Sequence, residues 1–150
     1  MTHDTQTPDA AHEPPLPAPG PAHVPETARA LVAGPHVAHL ATVLPDGGPH
    51  VVPVWVAWEG DRLAFLTGPG SRKARNLARD PRVAVSVTET GNPYVMATLR
   101  GQVVDVLDGA EGWAVVDRLS VLYTGGPYPR GEERRAYLVE ISHATAPSFG

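Results

Sequence analysis

Apolar and polar positions divide the chain into a polar, Pro-rich start and a body of β-type runs. His36–Val43, His50–Trp58 and Arg62–Thr67 are rich in β-branched and aromatic residues. The turns between them are Leu44–Pro49, with its Asp46-Gly47 pair, and Glu59-Gly60-Asp61. Such tight turns predict a three-stranded meander with consecutive antiparallel pairing. Arg82–Thr88 alternates apolar and small residues and predicts a fourth strand. A long strand is expected from Tyr94 to Leu107, with Gly101 as a bend or bulge, and a last one from Arg135 to Ser142. Pro25–Gly34 predicts a short helix: Pro opens it, Glu26 sits in the first turn and Gly34 closes it. Ser71–Arg79 predicts a second, capped by Ser71 and ended by Asp80-Pro81. Asp108–Leu122 predicts a third, with Trp113, Val116, Leu119, Val121 and Leu122 on its apolar side. Six strands with small marginal helices predict a mainly β fold, a closed or nearly closed antiparallel barrel.

Composition sharpens this picture. A length of 150 residues fits one domain. Of the 17 prolines, seven fall in residues 1–25, where Leu16 and Val24 are nearly the only sizeable apolar side chains. Such a segment buries too little surface to offset its ordering entropy, so a disordered or polyproline-like tail is expected over 1–25. The folded domain is expected over 26–142, with a short tail over 143–150. A net charge of −4 argues against sequence-independent nucleic-acid binding. The absence of Cys excludes disulfides, thiol nucleophiles and Cys-ligated zinc. No apolar run approaches the ~18 residues of a membrane span, and the start lacks signal-peptide character. A soluble, cytoplasmic protein without a membrane partner is the expectation.

Catalysis by side chains alone looks poor. There is no Gly-x-Ser-x-Gly motif, and neither the Walker A nor the dinucleotide glycine fingerprint is present. The seven His are scattered, and His36 and His39, three apart on a strand, face opposite ways, so no metal site is expected. Charge placement is more informative. Five of the 12 basic residues, Arg72, Lys73, Arg75, Arg79 and Arg82, fall within eleven positions, and Lys73 is the only lysine. They begin a helix just after a Gly-rich turn. Free helix N–H groups with Arg and Lys there suit an anion, but a solvated basic helix face accounts for the same residues.

The order of motifs resembles the pyridoxamine 5′-phosphate oxidase-like, FMN-binding split-barrel superfamily, and specifically its actinobacterial branch that uses the deazaflavin coenzyme F420. The resemblance runs over about residues 26–142. It rests on His39–Val43 with Asp46–His50, on Pro53–Val56, on Leu66-Thr67 followed by Ser71–Leu77 and Asp80–Val83, and on Leu99–Gly101 and Leu122–Gly125. The resemblance implies a homodimeric six-stranded split barrel with the cofactor at the subunit interface. It implies that the anionic tail sits on Ser71, Arg72 and Lys73, with a hydroxyl from Thr67. The ring would lie along Val52, Pro53, Val54 and Trp55, with Thr42 and Asn76 as further cofactor contacts. Such a cofactor brings its own redox chemistry, passing hydride from ring carbon 5 to an unsaturated small organic substrate. FMN in place of the deazaflavin, a non-catalytic carrier and a haem- or tetrapyrrole-binding relative are the alternatives. No residue is clearly catalytic. Tyr123 and Tyr128 are the weak candidates for a proton donor, and a role in shaping the C-terminal loop is the more economical reading of both. Trp55 and Trp58 face opposite sides of a strand, so one at most meets the ring.

Overall fold

The computed structural model describes residues 22–147. Residues 1–21 of the tail expected over 1–25, and the last three residues, lie outside that range. Three helices and seven strands follow in chain order: α1 (Glu26–Ala33), β1 (Ala38–Val43), β2 (Pro49–Val54), β3 (Ala57–Glu59), β4 (Arg62–Thr67), α2 (Arg72–Arg79), β5 (Arg82–Glu89), β6 (Asn92–Leu107), α3 (Gly109–Thr124) and β7 (Arg135–Thr145). All pairings are antiparallel, in the order β2-β1-β5-β6-β7-β4-β3.

That order forces a curved sheet. Seven strands laid flat at a spacing of ~4.8 Å would hold β2 and β3 about 29 Å apart. Only Trp55 and Val56 separate the two in sequence, and such a link spans at most about 11 Å. The sheet therefore rolls until its two edges meet at this link, without hydrogen bonding to each other. The result is a mainly β, split architecture with seven strands rather than six, open rather than closed. The extra strand arises because the apolar run His50–Trp58 breaks after Val54. β2 pairs with β1, and β3 pairs with β4, so the expected meander does not continue from β2 into β4. Pro53, which has no ladder donor, lies on the edge strand β2, where its missing N–H is tolerated.

Two apolar layers hold the sheet. Leu63 and Phe65 of β4 and Tyr137 and Val139 of β7 point into the barrel with Leu40, Val56, Val85 and Leu99. Their neighbours Ala64, Ala136 and Leu138 point outward and are covered by Val115, Val116 and Leu119 of α3. Burial on both faces explains why Leu63–Leu66 reads as a continuous apolar run. Val121, expected on the packed side of α3, is instead 53% exposed, because the buried stripe runs through Val115, Val116, Leu119 and Ser120. Gly101 marks a register shift between β6 and β7. A Cβ there would come within 2.0 Å of the Glu140 carbonyl oxygen, so the close approach of the strands requires glycine.

At the boundaries the structure extends the expected domain. The backbone N–H of Ala22 donates to the Ile141 carbonyl at 2.9 Å, and Val24 is buried in the barrel core. β7 runs on to Thr145, where it still pairs with β6.

Candidate cofactor site

The N-terminus of α2 is built by two hydroxyls. Ser71 caps the helix, its Oγ accepting from the Ala74 N–H at 3.1 Å and from the Thr67 hydroxyl at 2.8 Å. Those bonds use the acceptor side of Ser71 and leave its own hydrogen for a further partner. The first-turn N–H groups of Arg72 and Lys73 have no intrahelical acceptor. Ser71 and Lys73 line a cleft of about 560 Å³ that also takes in Tyr128, Glu132, Glu133 and Arg134. Lys73 is half-buried, and among the described residues no carboxylate lies in salt-bridge range of it. Burial, and then the neighbouring Arg134 guanidinium, lower its pKa from the ordinary lysine value. The donor set is rich in N–H and O–H groups and holds two cations, and the two carboxylates of the lining, Glu132 and Glu133, are each paired with an arginine, which leaves Lys73 for an anion.

A second cavity of about 310 Å³ adjoins the first and is lined by Val37, Pro53, Val54, Trp55, Leu66, Lys73 and Tyr128. It is an apolar slot beside the free edge of β2, where the ladder leaves half the backbone groups unpaired. Leu66, Lys73 and Tyr128 line both cavities. Neighbouring residues of a regular strand point apart, yet Val54 and Trp55 do not. Both line the slot, because strand alternation ends where the chain leaves β2. Trp58 goes the other way, packing on the barrel core and donating its indole N–H to the Arg29 carbonyl at 2.9 Å.

Trp55 is held by two tyrosines. Tyr123 stacks on it at 5.3 Å and 12°, and Tyr128 meets it edge-on at 6.2 Å. The Tyr123 hydroxyl accepts from the Val56 N–H at 3.0 Å, and its hydrogen lies between the carbonyls of His36 at 2.8 Å and Val56 at 3.0 Å. Burial raises its pKa. Of the two proton-donor candidates, Tyr123 is thus engaged by backbone at the point where the sheet splits. Tyr128 lies open to both cavities. Its loop is pinned to α3: Asp117 accepts from the Tyr128 N–H at 3.0 Å and pairs with Arg130 at 2.7 Å. These hydrogen bonds hold the Asp117 carboxyl down at about 2.

The structure brings together Thr67, Ser71, Lys73, Pro53, Val54, Trp55 and Tyr128. It leaves four expected contacts outside both cavities. Arg72 is exposed, and Val52 packs on the barrel core. Thr42 and Asn76 are 3% and 0% exposed, and the Asn76 amide donates to the Thr42 hydroxyl at 3.0 Å. That bond seats α2 on β1. Arg134, Leu66 and Val37 were not foreseen. The run Arg130–Arg135 carried a charge signal, but nothing local to it indicates a neighbour 61 positions earlier. Among the described residues no three His, Asp or Glu side chains gather as a metal site requires, and no helix is long and apolar enough to cross a membrane.

A rolled, unclosed antiparallel sheet, with a cationic cleft opening onto an apolar slot, defines a split barrel. The chain belongs to the pyridoxamine 5′-phosphate oxidase family, whose model matches residues 24–141. A solved structure named F420 reductase is 35% identical, with a TM-score of 0.73, over 81% of this chain and 98% of that one. A conserved hypothetical protein from Mycobacterium tuberculosis shares the fold at 22% identity and a TM-score of 0.67, over 85% of this chain and 86% of its own. No curated protein matches the chain by sequence. Family and fold together define an oxidoreductase type that works with a flavin-type cofactor.

Proposed function

We propose that the protein is a homodimeric, cytoplasmic oxidoreductase that binds coenzyme F420 and exchanges hydride between it and an unsaturated small organic substrate. The observation that carries this reading is the shared wall of Leu66, Lys73 and Tyr128, which makes one groove with an anion-binding end and an apolar end. A cofactor with a phosphorylated tail and a flat ring has that same division. Ser71, Lys73 and the first turn of α2 hold the tail, with Thr67 fixing the Ser71 hydroxyl. Pro53, Val54 and Trp55 hold the ring, and Tyr128 separates it from solvent. Once bound, the cofactor supplies the hydride chemistry, which fits a chain without an evident nucleophile. The choice of deazaflavin rests on the likeness to the protein named F420 reductase.

The dimer reading draws on exposed Val37 and Val51 beside the unpaired edge of β2. An apolar edge of this kind calls for cover. Acceptors that suit an open, apolar slot are conjugated C=C or C=N bonds and quinone-like rings.

Equilibrium dialysis against coenzyme F420 and against FMN tests the cofactor choice. Retention of the deazaflavin over FMN is expected. Preferential retention of FMN replaces the reading with an FMN-dependent one, and retention of neither removes it. Sedimentation at micromolar concentration is expected to show twice the chain mass, and a monomer that still binds cofactor removes the interface from the site.

A further inference from the structure

Arg134 lies at the start of β7's approach, yet its guanidinium reaches the cleft at α2. A Cβ on Gly68 would lie 3.2 Å from Arg134 Nη1, so glycine at 68 lets the guanidinium rest against the loop leading to Ser71. Three of its five N–H donors have partners. Nε donates to the Tyr128 hydroxyl at 3.3 Å, Nη1 to the Glu133 carbonyl at 2.8 Å and Nη2 to the Glu132 carboxylate at 3.1 Å. One N–H on each terminal nitrogen is left, and such a pair suits a phosphoryl group. The two ends of the ion pair differ sharply: the Arg134 side chain is 23% exposed and that of Glu132 is 76% exposed. An ion pair with one solvated partner is weak and easily exchanged.

We infer that Arg134 is the second cation of the phosphoryl-binding cleft, and that the Glu132 carboxylate is a stand-in counter-ion which the phosphoryl group displaces. This rests on the cofactor reading for the identity of the ligand, but not for its chemistry. The lowered pKa of Lys73, caused by burial and then by Arg134, agrees with two cations held near each other. Glu133 differs from Glu132 although it is adjacent: its carboxylate pairs with Arg135 at 3.1 Å. The arrangement assigns opposite signs to the two partners. Removing Arg134 weakens phosphoryl binding, and removing the Glu132 charge strengthens it.

Calorimetric titration with coenzyme F420, together with the Arg134 Nε–H resonance during titration with inorganic phosphate, tests this on the full chain. Arg134→Ala is expected to weaken F420 binding about tenfold or more. Arg134→Lys recovers only part of that, since it cannot bind in bidentate fashion. Glu132→Gln is expected to tighten binding about two- to fivefold. Glu133→Gln, the same change in net charge, gives a smaller gain. Glu132 also lines the cleft, so loss of its charge alone favours an anion; the gain is therefore expected to shrink in the double variant Arg134→Ala/Glu132→Gln, and a gain of full size there overturns the inference. Unchanged affinity in Arg134→Ala, or weaker binding in Glu132→Gln, overturns the inference. If Lys73→Ala loses affinity and Arg134→Ala does not, only this inference falls. If the wild-type chain binds neither F420 nor phosphate, the cofactor reading falls with it. An Arg134 resonance that responds to F420 and also to free phosphate supports a general phosphoryl site, and a response to F420 alone supports one specific for the cofactor's tail.

Discussion

Tyr123→Phe separates a structural from a chemical role for the residue that holds the split in the sheet. The substitution removes one oxygen and keeps the ring stacked on Trp55. That oxygen accepts from the Val56 N–H and serves two carbonyls. Val56 is 0% exposed, so its N–H cannot turn to water. An orphaned buried donor costs about 1–3 kcal/mol. The carbonyls add little, since each keeps a second lone pair and His36 is only half-buried. A loss of about 2 kcal/mol follows, which for a domain of this size lowers Tm on the order of 5–10 °C. Urea denaturation is expected to move the midpoint with little change in slope, because the surface exposed on unfolding is the same. Hydride transfer under saturating cofactor, measured well below the new Tm, is expected to stay within a few-fold of wild type. An unchanged Tm combined with collapsed turnover refutes the reasoning and makes Tyr123 a proton donor.

Three further outcomes follow from burial, charge and close approach. Because the folded protein lowers the Lys73 pKa, its charge opposes folding below that pKa, and the penalty fades as pH rises toward the ordinary lysine value of 10.5. Lys73→Met is therefore expected to match or exceed wild-type stability without ligand at neutral pH, with any advantage shrinking in alkaline buffer; a clear loss of Tm contradicts this. Gly101→Ala is expected to cost about 2–4 kcal/mol in chemical denaturation, since the new methyl meets the Glu140 carbonyl, and a neutral result removes the close-approach argument. A chain beginning at Ala22 is expected to keep the full Tm, whereas one beginning at Glu26 loses Val24 from the core and the Ala22–Ile141 bond, about 2–3 kcal/mol; equal stability of the two contradicts the packing of that segment.

Local rules reached most of the elements because their signals are local. Ser71 caps α2, Asp80-Pro81 ends it, and Gly101 marks the β6 irregularity, each where the sequence indicates. The break between β2 and β3 was not legible, because Val54–Trp58 is apolar throughout and holds no Gly, Pro or other turn residue where the chain leaves β2. It is a long-range event that depends on Tyr123, 67 positions from Val56. The candidate site divides the same way. Thr67, Ser71 and Lys73 lie within a few residues of one another, and their grouping shows in the chain. Arg134 enters through the β4–β7 pairing, which brings Thr67 opposite Arg135. Asn76 and Thr42 are polar residues that the fold draws inward, where the Asn76 amide donates to the Thr42 hydroxyl.

The proposed function puts the anionic tail and the ring of a deazaflavin in one groove joined at Lys73. Calorimetric titration of wild type and Lys73→Met with coenzyme F420 tests it most directly. Loss of a charge-assisted hydrogen bond is worth about 1.5–3 kcal/mol, so the dissociation constant is predicted to rise roughly 10- to 150-fold while the protein stays folded. An unaltered dissociation constant in a folded Lys73→Met protein contradicts the account, because the two cavities then have no common ligand at their shared wall.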